Sequence, residues 1–146
     1  MEPLHNTGYL LQHLSAVLAK QSDQALQERL GIGFSQFKIL LVLENNPEIK
    51  QNQIAKKLGQ TEASISRQIK IMHDKGLLQT TINPNNRRVH LTTITAKGIR
   101  LSEEALITLN NCHAPAFNSL GVKKQAQLQE ILNQMHDYSC RHTNNS

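Results

Sequence analysis

Residues 50–76 read KQNQIAKKLGQTEASISRQIKIMHDKG, and their spacing organises the reading of everything around them. Ile54, Ala55 and Leu58 form the inner face of a helix over about Lys50 to Leu58, which stops at Gly59. Thr61 offers a hydroxyl N-cap for a second helix reaching Lys75, where Gly76 closes it. With Ile65, Ile69 and Met72 as the packed stripe, the helical step of about 100° puts Ala63, Arg67 and Lys70 on the opposite face, with Ser64 beside them. Two adjacent helices separated by Gly59-Gln60 fit a helix-turn-helix. The outward face of the second is small near its start and cationic after it. Small and hydroxyl residues let a helix approach base edges, while arginine and lysine reach guanine or phosphate. A helix packed on one side and solvated on the other shares this pattern, so the neighbouring sequence has to arbitrate.

Beyond Gly76 the chain is rich in β-branched residues, in two runs from Leu77 to Ile82 and from Arg88 to Ile94, separated by the turn-forming Asn83-Pro84-Asn85-Asn86-Arg87. This predicts a β-hairpin whose tip carries Arg87 and Arg88 with no acidic neighbour, a cationic loop able to enter a narrow, A·T-rich minor groove. On the other side, Leu10, Leu14, Val17 and Leu18 form a helical stripe in a first helix from about His5 to Leu30, ended by Gly31-Ile32-Gly33. Ser35 is then placed to cap a short, mostly buried helix with Phe37, Leu40 and Leu41 inward, stopped by Asn45-Asn46-Pro47. Beyond Gly98 a helix resumes through Leu101, Ala105 and Leu109, with Pro115 expected to kink or break it. A last helix carries Leu128, Ile131, Leu132 and Met135, and the tail from His142 to Ser146 reads as disordered.

Charge supports the same division. Of 16 Lys+Arg and 11 Asp+Glu, net +5, the stretch from Lys50 to Arg100 holds ten basic and two acidic residues, a balance of +8. The rest of the chain carries −3. A basic middle between mildly acidic ends attracts phosphate backbones. Aromatic residues make up 3% and Trp is absent, so stacking platforms for single strands are scarce and duplex DNA is the better anionic partner. At 146 residues the chain has the length of about one domain. Its longest aliphatic run, Ile39 to Leu43, is five residues, against the roughly 20 of a membrane span, and the opening Met-Glu-Pro-Leu-His lacks the basic and apolar segments of a secretory signal. A cytoplasmic location without membrane contact is therefore expected.

These residues resemble the MarR family of bacterial winged-helix transcription regulators, in detail from about Gly33 to Gly98 and in helix layout over nearly the whole chain. Gln53-Ile54-Ala55-Lys56-Lys57-Leu58 resembles the family's first helix-turn-helix element. Ser64-Ile65-Ser66-Arg67-Gln68-Ile69, leading to Lys75-Gly76-Leu77-Leu78, resembles its recognition helix and exit. Asn83-Pro84-Asn85-Asn86-Arg87-Arg88, followed by Leu91, Thr95, Lys97 and Gly98, resembles the wing. The resemblance implies a homodimer built from the first and last two helices, one winged helix per subunit on a pseudo-palindromic operator, and a small aromatic or other small-molecule effector or a thiol switch. The departure is at Asn83 and Asn86, where the family usually has Asp; two asparagines leave the tip more positive and remove a carboxylate that could brace Arg87 or Arg88.

The fold expected is thus all-α with a small β-hairpin wing: a winged helix-turn-helix over 33–98, a dimerisation helix over 1–32 and dimerisation helices over 99–146. The candidate DNA-contacting set is Thr61, Ala63, Ser64, Ser66, Arg67, Lys70, Arg87 and Arg88. Function is expected to be that of a regulator, a repressor rather than an activator, with no enzymatic activity, cofactor or metal. A catalytic reading lacks a nucleophile, base and orienter brought together, since neighbours Cys112 and His113 diverge by about 100° on a helix. His13, His113 and His136 share no i, i+4 face that would hold a metal. Redox sensing by Cys112 is the alternative switch, but no Lys or Arg stands near it in sequence to favour the reactive thiolate. A non-regulatory architectural or scaffold protein is the alternative class; it would lack preference for one duplex.

Overall fold

The computed structural model describes residues 5–143. Expectations for the first four residues, and for Asn144 to Ser146 in the tail, lie outside the described residues. α1 spans Thr7–Leu30, its N-terminus capped by Asn6, whose Oδ1 accepts the Tyr9 N–H at 2.9 Å. It ends where Gly31 turns left-handed (φ 67°) and donates its N–H to the Gln27 carbonyl. α2 spans Phe34–Asn45 with Gly33 as its N-cap residue, so it starts two residues earlier than a Ser35 cap would have it. Its first turn is capped from another helix: Asp23 Oδ1 on α1 accepts the Phe34 N–H at 2.9 Å, and a carboxylate there also favours the positive end of the helix dipole. α3 (Gln51–Leu58) and α4 (Glu62–Asp74) follow, then β1 (Leu78–Asn83), β2 (Asn86–Ile94), α5 (Ala96–Asn118) and α6 (Gly121–Thr143). The result is an all-α fold with a small two-stranded antiparallel sheet among the described residues.

The chain divides into two compact units, residues 1–109 and 110–146. In the first, α2 is apolar on nearly every side. Phe37, Ile39, Leu40 and Leu43 are buried, Leu41 and Val42 pack against the core, and α1, α3, α4 and β2 all contact it. A helix apolar all round must be enclosed. Leu26 of α1, Ile54 of α3, Ile65 and Met72 of α4, and Ala105 of α5 are fully buried in the same core, each large aliphatic side chain contributing about 1.5–3 kcal/mol.

The junction between α4, the hairpin and α5 is held by one side chain and one bare backbone position. Thr95 donates its hydroxyl to the Gly76 carbonyl at 2.7 Å and accepts the Gly98 N–H at 3.1 Å, so it both caps α5 and ties it to the end of α4. The Thr95 N–H also bonds the Leu77 carbonyl. Gly98 is buried there, and a Cβ on it would collide with the Leu77 carbonyl oxygen and stand 2.7 Å from Ile94 Cγ1.

In the second unit, α5 continues through Pro115 to Asn118 instead of breaking at it. The proline lies in the last turn, where its missing N–H removes a single helical bond, and the Ser119 N–H resumes the pattern on the Pro115 carbonyl at 3.1 Å. α6 reaches Thr143, so His142 and Thr143, expected in a disordered tail, are helical. None of α6 is buried: Val122 is 87% exposed and Tyr138 67%, with Ile131, Leu132 and Met135 also open.

Gly98→Ala should destabilise the protein by about 1–3 kcal/mol, the usual range for overpacking a rigid site. Urea unfolding followed by circular dichroism measures it; a midpoint equal to wild type would contradict the packing described.

Candidate nucleic-acid interface

The turn Gly59–Thr61 joins α3 to α4, with Gly59 in the left-handed region (φ 63°) and its N–H on the Ala55 and Lys56 carbonyls. α4 buries Ile65, Ile69 and Met72, as the sequence spacing predicts. Ala63, Ser66, Arg67 and Lys70 are exposed on its outer surface, brought together over two turns. A helix of 13 residues is about 20 Å long and 10–12 Å across, the width of the B-DNA major groove. Exposed Asp74 stands on the same side at the far end, so the cationic stretch is confined to the first two-thirds of the helix.

Two of the candidate residues have prior engagements. Thr61 is exposed, but its Oγ1 accepts the Ser64 N–H at 3.1 Å as the N-cap of α4. Ser64 is half-buried and donates its hydroxyl to Gln60 Oε1 at 3.4 Å. Beyond the candidate set, an open cleft of about 600 Å³ at the start of α3 and α4 is lined by Lys50, Gln51, Asn52, Glu62, Ala63 and Ser66. Lys50, Gln51 and Asn52 were not singled out from sequence. The signal available was their position at the start of α3, where Lys50 is the N-cap residue and its N–H bonds Gln53 Oε1.

Two cations of the basic middle, both exposed, are engaged at helix ends. Lys75 Nζ donates to the Gly31 carbonyl at 2.8 Å, and Lys97 Nζ to the Lys75 carbonyl at 2.8 Å. Both complete helix ends, where carbonyls lack partners and the dipole favours positive charge. Arg67, Lys70, Arg87 and Arg88 form no ion pair with a described residue, and all four are exposed.

The hairpin corrects the expected wing. Its turn is only Pro84-Asn85, and Arg87 and Arg88 lie at the start of β2, not at a loop tip. Asn83 pairs with Asn86 and Ile82 with His90, so the backbone of Arg87, Arg88 and Val89 bulges out of the ladder. The asparagines explain both features. Asn83 Oδ1 accepts the Asn85 N–H at 2.9 Å, and Asn86 Oδ1 accepts the Arg88 N–H at 3.1 Å. Each makes the local Asx turn that an aspartate would make, without its charge, and the second directs the chain beside Arg88.

The family model for MarR matches residues 34–90, from the start of α2 to the middle of β2. The chain carries a MarR family domain. Among curated relatives, an HTH-type transcriptional repressor of Mycobacterium tuberculosis is 23% identical over 128 residues, 88% of this chain and 91% of the relative. The transcriptional regulator YdgJ of Bacillus subtilis is 27% identical over 90 residues, 62% of this chain and 52% of the relative. Among solved structures, apo MarR of E. coli superposes with a TM-score of 0.79 at 21% identity, over 89% of this chain and 96% of that one. CouR from Rhodococcus jostii, bound to p-coumaroyl-CoA, gives 0.74 at 23% identity, over 91% and 88%. A Mycobacterium tuberculosis MarR family protein in complex with p-aminosalicylic acid gives 0.77 at 23%, over 90% and 98%. The relatives' names describe regulation and not catalysis.

Outside the MarR domain, the histidines and thiols are dispersed. His13 stacks on Tyr9 with ring centroids 6.0 Å apart, Cys112 and His113 are half-buried, and exposed Cys140 has its Sγ 3.4 Å from His136 Nε2. Among the described residues no three His, Cys, Asp or Glu side chains group as a metal site. No helix among them is long and apolar enough to cross a membrane.

The cap inside the MarR domain is testable by itself. Thr61→Ala should lower stability by about 1 kcal/mol, the typical loss for an N-cap hydroxyl, and Thr61→Ser should restore most of it. Chemical denaturation decides; an unchanged Thr61→Ala protein would show that the cap is dispensable.

Proposed function

We propose that this chain is a transcriptional repressor that binds a pseudo-palindromic site in double-stranded DNA as a homodimer and is released by a small-molecule effector. The observation that carries the reading is the outer face of α4: Ala63, Ser66, Arg67 and Lys70 are exposed together, free of ion pairs with described residues, on a helix of groove-filling dimensions. In this reading Arg67 and Lys70 serve bases or phosphates in the major groove, and Arg87 and Arg88, carried on the bulged start of β2, serve the minor groove or its phosphates. Thr61 and Ser64 contribute by shaping α4 more than by direct contact.

Uncovered apolar surface supports the homodimer. Tyr9, Leu10, Leu11, Leu14 and Val17 of α1, and Val122, Ile131, Leu132, Met135 and Tyr138 of α6, are all exposed within one chain. This supports the reading in which residues 1–32 and 99–146 serve dimerisation. An effector that is a small aromatic acid or its thioester is supported by similar structures that contain p-coumaroyl-CoA, p-aminosalicylic acid and salicylic acid. Regulation in this account needs neither Cys112 nor Cys140.

The test is duplex binding across salt. Six or more phosphate contacts per dimer should reduce affinity by about 10³-fold or more between 50 and 200 mM salt. Arg67→Ala should weaken binding to the preferred duplex by about 1–3 kcal/mol. Salt-independent binding, or full affinity in Arg67→Ala, would refute the assignment. Sedimentation at micromolar concentration should show a dimer throughout; a folded monomer would remove the subunit arrangement.

A further inference from the structure

We propose that the six residues Gly31–Gln36, where α1 turns into α2, form a polar seat that sets the rotation of α4, with Gln36 and Gln68 as the positioning pair for sequence preference. The inference rests on the DNA-binding reading above and adds to it residues that touch no nucleic acid.

Three contacts from this short segment reach α4 at three heights. At its start, Gln60 Nε2 donates to Ser35 Oγ at 3.1 Å while Gln60 Oε1 accepts the Ser64 hydroxyl at 3.4 Å, linking Ser35 through Gln60 to the first turn. In its second turn, Gln36 Nε2 donates to Gln68 Oε1 at 3.0 Å. At its end, Lys75 Nζ holds the Gly31 carbonyl at 2.8 Å. The segment is itself tied to α1 by the bond from the Phe34 N–H to Asp23 Oδ1.

Apolar packing alone leaves α4 rotational slack. Ile65, Ile69 and Met72 form one stripe, and a stripe of aliphatic side chains tolerates small rotations because dispersion contacts have no direction. Hydrogen bonds are directional and weaken steeply when misaligned. Gln68 lies next to the buried stripe, while Arg67, its neighbour in sequence, projects outward, so fixing Gln68 fixes where Arg67 points.

Gln36 shows that the pair is kept for position rather than stability. It is only 8% exposed, and its Oε1 accepts no hydrogen bond from any described residue. A buried amide with one end unsatisfied is less favourable than an apolar side chain of the same shape, and replacing both partners of such a pair by isosteres is close to neutral for stability. A methionine pair would fill the same space and lose only direction.

The experiment uses the full chain, with Gln36→Met, Gln68→Met, the double variant and Gln68→Glu. Wild type first selects its preferred duplex from a randomised double-stranded DNA library. Preference is then the affinity ratio between that duplex and an unrelated one of the same length. The double variant should melt within a few degrees of wild type and bind unrelated duplex as wild type does, while its preference falls by about tenfold, the scale of one well-made buried hydrogen bond. Gln68→Glu keeps the acceptor for Gln36 Nε2. Its added negative charge weakens both duplexes alike, so its preference should stay near that of wild type. A second readout needs no DNA: amide hydrogen exchange along α4 of the free protein should rise about tenfold in the double variant, with exchange in α2 unchanged. Preference retained in the double variant, preference lost equally in Gln68→Glu and Gln68→Met, or unchanged exchange along α4 would each overturn the proposal. A wild type that enriches no duplex would refute the DNA-binding reading, and the exchange experiment would still decide whether the seat holds α4.

Discussion

α2 is apolar on nearly every side, and the first unit is organised around enclosing it. α1, α3, α4 and β2 each lend a surface to Phe37, Ile39, Leu40 and Leu43 or to the half-buried Leu41 and Val42. This fixes which face of α4 turns inward, because Ile65, Ile69 and Met72 are the residues that complete the enclosure. The outer face that bears Ala63, Ser66, Arg67 and Lys70 is therefore a consequence of how α2 is covered.

Around that core, the ends of the helices are closed by side chains from elsewhere in the chain. Asp23 caps α2, Thr95 closes the gap between α4 and α5, and Lys75 and Lys97 complete the carbonyl ends at Gly31 and Lys75. Helix termini leave unpaired donors and acceptors, and burying them unsatisfied is unfavourable. Two exposed lysines of the basic middle are engaged at helix ends in this way. The wing shows the same economy in a shorter span. Two asparagines close the hairpin through their carbonyl oxygens and leave Arg87 and Arg88 without a carboxylate beside them.

Much of this was legible in the sequence. Six helices and a hairpin in that order, the ends at Gly31, Gly59 and Gly76, the buried stripe of α4 and the cationic outer face all arise from periodicity and turn chemistry, which act over a few residues. The length of the wing turn did not. Asn83-Pro84-Asn85-Asn86-Arg87 is a run of turn formers, and composition does not say which two of five make the turn. The Asx bonds of Asn83 and Asn86 choose Pro84-Asn85 and draw Asn86, Arg87 and Arg88 into β2.

By itself the sequence determined which residues repeat with helical spacing, where the chain must turn, and that its middle is basic. Only the tertiary structure decided what each polar side chain is used for. Ser35 looked like a cap and is instead a partner of Gln60; Ser64, read beside the outer face, is half-buried and bonded to Gln60; Lys75 and Lys97, exposed as their charge implies, also hold helix ends. The contacts that reassign Ser35, Lys75 and Lys97 join residues 22 to 44 positions apart, and Ser64 is drawn in through Gln60, which Ser35 holds from 25 positions away. Directional bonds between distant positions leave no period in the sequence, because they depend on how helices come to lie side by side once α2 has been enclosed.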